Sequence, residues 1–113
     1  MPESILVVLA PAAQHDIENA LAWSRERFGA RAAIRYRSLI KQAIRDVATD
    51  PERAGSRKRP ELGPRIWSYH LQFTNSAVKR PRHFLIYRRD KTRLELIRLL
   101  HDSRDLEQHL PPD

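Results

Sequence analysis

Residues 93–109 read RLELIRLLHDSRDLEQH, and the fold turns on how they are interpreted. From Arg93 to His101 the density of Leu and Ile is that of a buried β-strand, yet the stretch carries Arg98 and His101 and then becomes acidic and helical at once. Core packing gives no reason for an arginine and a histidine at the end of such a strand. Both are therefore candidate functional residues. Asp102 is suited to cap a short final helix, with Asp105 three residues on near its positive end. A purely local role is the alternative: His101 staples the tail, and Arg98 pairs with an acid such as Glu95 or Asp105.

Working outward, RHFLIYRR (82–89) reads as the preceding strand, joined to the last one through the tight connection RDK. In PRIWSYHLQF (64–73), Arg65, Trp67, Tyr69, Leu71 and Phe73 alternate with Ile66, Ser68, His70 and Gln72, the period of a third strand. TNSAVKRP (74–81) is the connection, and ERAGSRKRPELGP (52–64) has the composition of a surface loop.

Upstream the period changes. Ile5 to Leu9 is a compact aliphatic run consistent with a buried or half-buried strand, ended by Pro11. Ala13, Ile17, Ala20, Leu21, Ser24 and Phe28 recur at helical spacing with Trp23 on the flank, so both aromatic residues are expected in helix packing. Gly29 breaks the helix, and Ala33, Tyr36, Ile40, Ala43, Ile44 and Val47 mark a second one that stops at Asp50 before Pro51. The expected fold class is α+β: an N-terminal strand, an antiparallel helical hairpin, a three-stranded antiparallel sheet and a short C-terminal helix, in one domain over residues 1–113. One face of the sheet is covered by the hairpin. The other is left for the C-terminal helix and a partner.

Charge is uneven. Up to residue 52 the seven basic and seven acidic residues cancel; from Arg53 on, fourteen basic residues meet seven acidic ones, which accounts for the formal +7. That asymmetry points to an anionic partner, either nucleic acid or an acidic protein segment. The apolar run ILVVLAPAA is too short to span a bilayer and lacks the leading basic residues of a secretory signal, so it is read as part of the mature fold. With no cysteine there is no disulfide scaffold, thiolate metal site or cysteine nucleophile.

Three glycines, at 29, 55 and 63, cannot build a phosphate loop, and no Gly-x-Ser-x-Gly elbow exists. Asp105 and His109, with His101 and Asp102 nearby, could ligate a metal, but capping and a solvated face explain them better. Metal-free RNA cleavage needs a base, an acid and a cation for the developing phosphorane charge. Arg65, Arg88 and Arg98 on neighbouring strands, with His101, His83 and Glu95, could supply these if they converge. Trp67 and Tyr69 alternate as strand residues should, so core burial explains them better than base stacking.

Two blocks carry a resemblance. LVVLAPAAQHDIENALAWSRERFGARAAIRYRSLIKQAI is similar to the opening of ParE-type toxins in the RelE/ParE superfamily: a strand, an "A-x-x-D-I/L" helix, an "F-G" turn and a second long helix. RHFLIYRRDKTRLELIRLLHDSRDLEQHL resembles the family's strand ending "h-Y-R" followed by "I-x-R-x-L-H-x-x-x-D-x-x-x-H-L". Ala13, Asp16, Gly29, Tyr87, Arg88, Arg98, His101, Asp105, His109 and Leu110 stand at matching places.

The resemblance implies a bacterial, cytoplasmic type II toxin without cofactor or metal and away from membranes. It would be held inactive in a hetero-oligomer by a ParD-like antitoxin, whose acidic C-terminal segment folds onto it. Arg65, Arg88, Arg98, His101, Asp105 and His109 would be the antitoxin- or target-binding residues. ParE-type members poison DNA gyrase and are not enzymes; RelE-type relatives share the fold but cut messenger RNA on the ribosome. In that second case Arg65, Arg98 and His101 would be catalytic. The tail DSRDLEQHLPP after His101 favours the ParE side. A module that binds antitoxin without being toxic is a third reading, and the hairpin over residues 70–83 is longer than in compact members.

Overall fold

The computed structural model describes residues 5–103. Strand β1 (Leu6–Leu9) leads into helix α1 (Pro11–Phe28), whose first residue is the proline that needs no N–H partner there. Gly29, at φ 96°, ends α1 with its N–H on the Arg25 carbonyl, and its own carbonyl accepts from Ala33 in helix α2 (Ala30–Thr49). One residue thus separates the two helices. Then come β2 (Ser56–Lys58), a 3-10 turn (Pro60–Leu62), β3 (Ile66–His70), a second 3-10 turn (Leu71–Phe73), β4 (His83–Arg89) and β5 (Arg93–His101).

The sheet has five strands in the order β1-β5-β4-β3-β2, not the three expected. β3, β4 and β5 form the antiparallel meander that alternation predicts, with Trp67 opposite Tyr87 and His83 opposite His101. β1 adds itself parallel to β5, Leu6 opposite Arg93 and Leu9 opposite Leu96. β2 pairs antiparallel with β3 from inside the stretch read as loop. Its sequence, SRK, has no apolar alternation because an edge strand guards itself with charge instead. β1 is also an edge: Leu6, Val7 and Leu9 are exposed rather than buried. The third predicted strand is shorter than its alternation suggests. His70 Nδ1 accepts the Gln72 N–H and caps the 3-10 turn that ends it. The expected C-terminal helix lies outside the described residues.

Two cores result. On the helical side Tyr69, Leu71, Leu85, Tyr87, Leu94, Leu96 and Leu99 pack against Ala13, Ala20, Leu39, Ile40, Ala43 and Val47. Each large side chain fully buried there contributes about 1.5–3 kcal/mol. Alanines on α1 let the hairpin lie close on the sheet. On the opposite face a smaller cluster forms from Leu62, Ile66, Ile86 and Leu100, with Leu62 of the first 3-10 turn as its cover.

Polar anchors tie the layers together. Tyr87 Oη donates to the Pro51 carbonyl at 2.7 Å and lies 3.0 Å from Ser56 Oγ, and burial pushes its hydroxyl up to about 12. Arg89 Nε donates to the Ala48 carbonyl near the negative end of α2.

Gly55, at φ 97°, tests this frame. A Cβ there would stand 2.5 Å from Phe73 Cγ and Cδ2 on top of the backbone strain. Gly55→Ala is expected to cost about 1–3 kcal/mol, read as a lower urea midpoint at unchanged slope.

Candidate functional site

A β-bulge explains the arginine in the last strand. Tyr87 faces Leu96 but Ile86 faces Arg98, so Ile97 is an extra residue on β5. Strict alternation would put Arg98 and Leu100 with Leu94 and Leu96. The bulge instead gives that core position to Leu99 and sends Leu100 to join Ile97 in the opposite cluster. Arg98 is released toward α1, where Nε and Nη2 grip both carboxylate oxygens of Asp16 at 2.6 and 3.0 Å. The Leu99 N–H donates to the same carboxylate at 3.1 Å. The hydrogen bond from Asp16 raises the Arg98 pKa further above its ordinary value, against a smaller opposing effect of burial. Among the described residues its carboxylate partner is Asp16, while Glu95 faces Arg88 and Asp105 lies outside the described residues. Asp16 could have been found from its place beside the apolar stripe of α1, where a carboxylate needs a reason.

Arg65 and Arg88 lie elsewhere. With Arg93, Asp90 and Glu95 they line a small cleft where β3, β4 and β5 run side by side. Arg88 Nη1 stands 3.6 Å from Glu95, while its Nε is buried and has no hydrogen-bond partner among the described residues. Asp90 is spent on the β4–β5 turn: the Thr92 N–H and then the Arg93 N–H hold its carboxyl below the usual range. Arg65 sits at φ 60°, a left-handed conformation that costs a non-glycine residue about 1 kcal/mol or more. The cleft thus sets three guanidinium groups against two carboxylates, which makes it a candidate site for an anionic group.

The histidines occupy the other end of the same strands. His83 and His101 are opposite in register with ring centroids 5.3 Å apart. Tyr36 of α2 accepts the Arg82 N–H at 3.2 Å, and its hydroxyl shares a hydrogen bond with His83 Nδ1 at 2.6 Å. Burial first, then the neighbouring His101, lowers the His83 pKa to about 4, and burial pushes Tyr36 up to about 12. The pair is neutral at pH 7.

His101 Nδ1 accepts the Ser103 N–H and meets the Ser103 hydroxyl at 2.7 Å. His70, whose Nδ1 is taken by Gln72, donates from Nε2 to Asp102 at 3.0 Å, and Arg82 Nε reaches both Asp102 oxygens. Burial pushes Asp102 up, but His70 and Arg82 outweigh it and hold the carboxyl below the usual range.

The residues that metal-free phosphate chemistry would need are consequently spread over three places. Along β4, Arg88 and His83 are five residues apart, about 17 Å in an extended strand. Asp105 and His109 lie outside the described residues. Among the described residues no group of three or more His, Cys, Asp and Glu side chains is arranged to hold a metal ion. Nor is any helix there long and apolar enough to cross a membrane. Sequence reasoning also misplaced Trp23 and Phe28: they are 52% and 68% exposed, not packed between helices.

Comparison with known proteins adds independent findings. A family model described as "ParE toxin of type II toxin-antitoxin system, parDE" matches residues 7–106. A solved structure titled "Chromosomal ParDE TA system from P. aeruginosa" is similar in fold, with a TM-score of 0.63 at 13% sequence identity over 86% of this chain and 95% of that one. No curated protein sequence matches the chain.

The geometry makes two predictions. Asp16→Ala strips two partners from Arg98 and one from the Leu99 N–H, and is expected to cost about 2–4 kcal/mol in chemical denaturation. Asp16→Asn, which keeps an acceptor for Leu99, costs less. For His83, the folded pKa lies below the ordinary 6.5, so the unfolded chain binds the proton more readily. Stability therefore falls as the pH drops from about 6.5 to about 4, by at most about 3 kcal/mol, and this contribution levels off below. Urea midpoints at pH 7 and pH 4.5 measure it, and His83→Phe flattens the difference.

Proposed function

The chain belongs to the ParE toxin family of type II toxin–antitoxin systems, and on that premise we propose that it is a cytoplasmic, non-enzymatic inhibitor of DNA gyrase neutralised by a ParD-like antitoxin. The observation that carries the antitoxin part is the cleft where the guanidinium groups of Arg65, Arg88 and Arg93 gather. A carboxylate from a disordered, acidic antitoxin segment pairs with guanidinium groups there, and the basic second half of the chain attracts the rest of the segment. Toxin and antitoxin form a hetero-oligomer in this reading.

The ribonuclease alternative asks Arg65, Arg98 and His101 to act on one phosphate. The engagement of Arg98 by Asp16 and the separation of the two strand ends weigh against it. Arg98 is then a positioning residue for β5, and Arg65 and Arg88 are the anion-binding pair.

Purified chain added to DNA gyrase is expected to block supercoiling, and the protein encoded in the adjacent reading frame is expected to restore it. Arg88→Ala should weaken that protein's binding by about tenfold or more while leaving the melting temperature nearly unchanged. Unimpeded supercoiling at high toxin concentration sinks the gyrase target; cleavage of ribosome-bound messenger RNA in its place establishes the alternative.

A further inference from the structure

The outer part of the helical hairpin has no core beneath it. Between Ala22 and Arg31 only Ser24 is buried, and α2 first packs on the core at Tyr36. From Ala30 to Tyr36 the helix advances about 9 Å, so its first turns stand clear of the residues that hold the molecule together. It nevertheless carries three of the largest exposed apolar side chains: Trp23, Phe28 and Ile34, the last 65% exposed. Trp23 and Phe28 meet edge to face at 5.8 Å, and the Arg27 guanidinium lies 5.3 Å from the Trp23 ring centre. The patch is thus an ordered aromatic knob. Its cost to a free soluble chain calls for an occupant.

Charge narrows the choice. The neutrality of the first half of the chain conceals a segregation: between Trp23 and Arg37 there are five arginines and one acid, Glu26. Like charge opposes a second copy of the same tip. Shape narrows it further. A flexible peptide needs a groove to lie in, whereas the end of a hairpin is convex and fits a concavity in a folded host. Stacking of bases on Trp23 is disfavoured because Arg27 already covers the ring.

We propose that the α1–α2 tip is the surface with which the toxin grips its target, and that the target is a folded protein offering an apolar cleft with an acidic rim. This rests on the chain acting as a toxin, but not on gyrase being what it acts on. Trp23, Phe28 and Ile34 are the anchors, and the arginines flanking them set orientation and speed of approach. The anion-receptive cleft and the tip are then separate surfaces, one for the antitoxin and one for the target.

Growth arrest on induction in a bacterial host, read as surviving colonies, tests this without presupposing the target. The Phe28→Asp/Ile34→Asp variant alters exposed side chains only, so it should fold, as circular dichroism and the melting temperature will verify. It is expected to lose growth arrest while binding the protein of the adjacent reading frame as tightly as the parent chain does. Phe28→Leu, which keeps an apolar anchor, is expected to retain arrest. Where purified gyrase responds to the parent chain, the concentration for half-inhibition should rise about thirtyfold for the double variant.

Undiminished arrest by the double variant overturns the proposal, as does loss of binding to the adjacent-frame protein, which would make the tip the antitoxin's site. A parent chain that arrests no growth overturns it together with the toxin reading. Arrest by the parent chain with gyrase unaffected removes gyrase alone and leaves the tip as the target surface.

Discussion

β1 stops at Leu9, opposite Leu96, and beyond that point no strand among the described residues lies beside the outer edge of β5. Asp16 takes over there. Its carboxylate accepts the Leu99 N–H that a neighbouring strand would otherwise have taken, and in the same position clamps Arg98. A single side chain therefore finishes the sheet edge, fixes α1 over it and compensates an arginine that is mostly buried. The bulge at Ile97 and the clamp depend on each other: without the extra residue Arg98 would point into the apolar core, and without Asp16 the released guanidinium would lose the carboxylate that grips it from α1. Because Leu99 takes up its core position just after the bulge, the packing between α1 and the sheet hangs on this arrangement.

The same two strands present opposite chemistry at their two ends. Near the β4–β5 turn three guanidinium groups share a cleft with Asp90 and Glu95, and the buried Arg88 Nε has no partner among the described residues. At the His83–His101 end the polar groups answer one another: Tyr36 meets His83, Ser103 meets His101, and Gln72 and Asp102 meet His70. That end has the character of a structural network.

How much of this was legible in the residues follows from which physical signal each feature leaves. The helical hairpin and the β3–β5 meander write themselves as periods of 3.6 and 2, and both were readable. β2 leaves no period, since three polar residues on an edge bury nothing. The parallel pairing of β1 with β5 joins segments more than eighty residues apart, and nothing local in either names the other. The bulge is invisible because Leu96, Leu99 and Leu100 fit either register until the partner strand is known. Whether Arg65, Arg88, Arg98, His83, His101 and Glu95 converge is not readable without strand register, which places Arg65, Arg88 and Glu95 at one cleft and the two histidines at the other end of the strands. Phe28 continues the apolar stripe of α1, but the sheet ends before the helix does, and only tertiary extent reveals that.

The long span between Asp16 and Leu99 also orders events in time. The hairpin closes through one glycine and can form as soon as its own residues exist, whereas the clamp bridges 83 positions and the first pair of the β1–β5 ladder joins Leu6 to Arg93. During synthesis the ribosome must deliver β5 before either can be made. Until then β1 has no neighbour and the anion-receptive cleft lacks Arg93 and Glu95. A nascent or truncated chain therefore has its hairpin before it has either the clamp that fixes α1 on the sheet or the cleft, and the two surfaces come together only once β5 has been delivered.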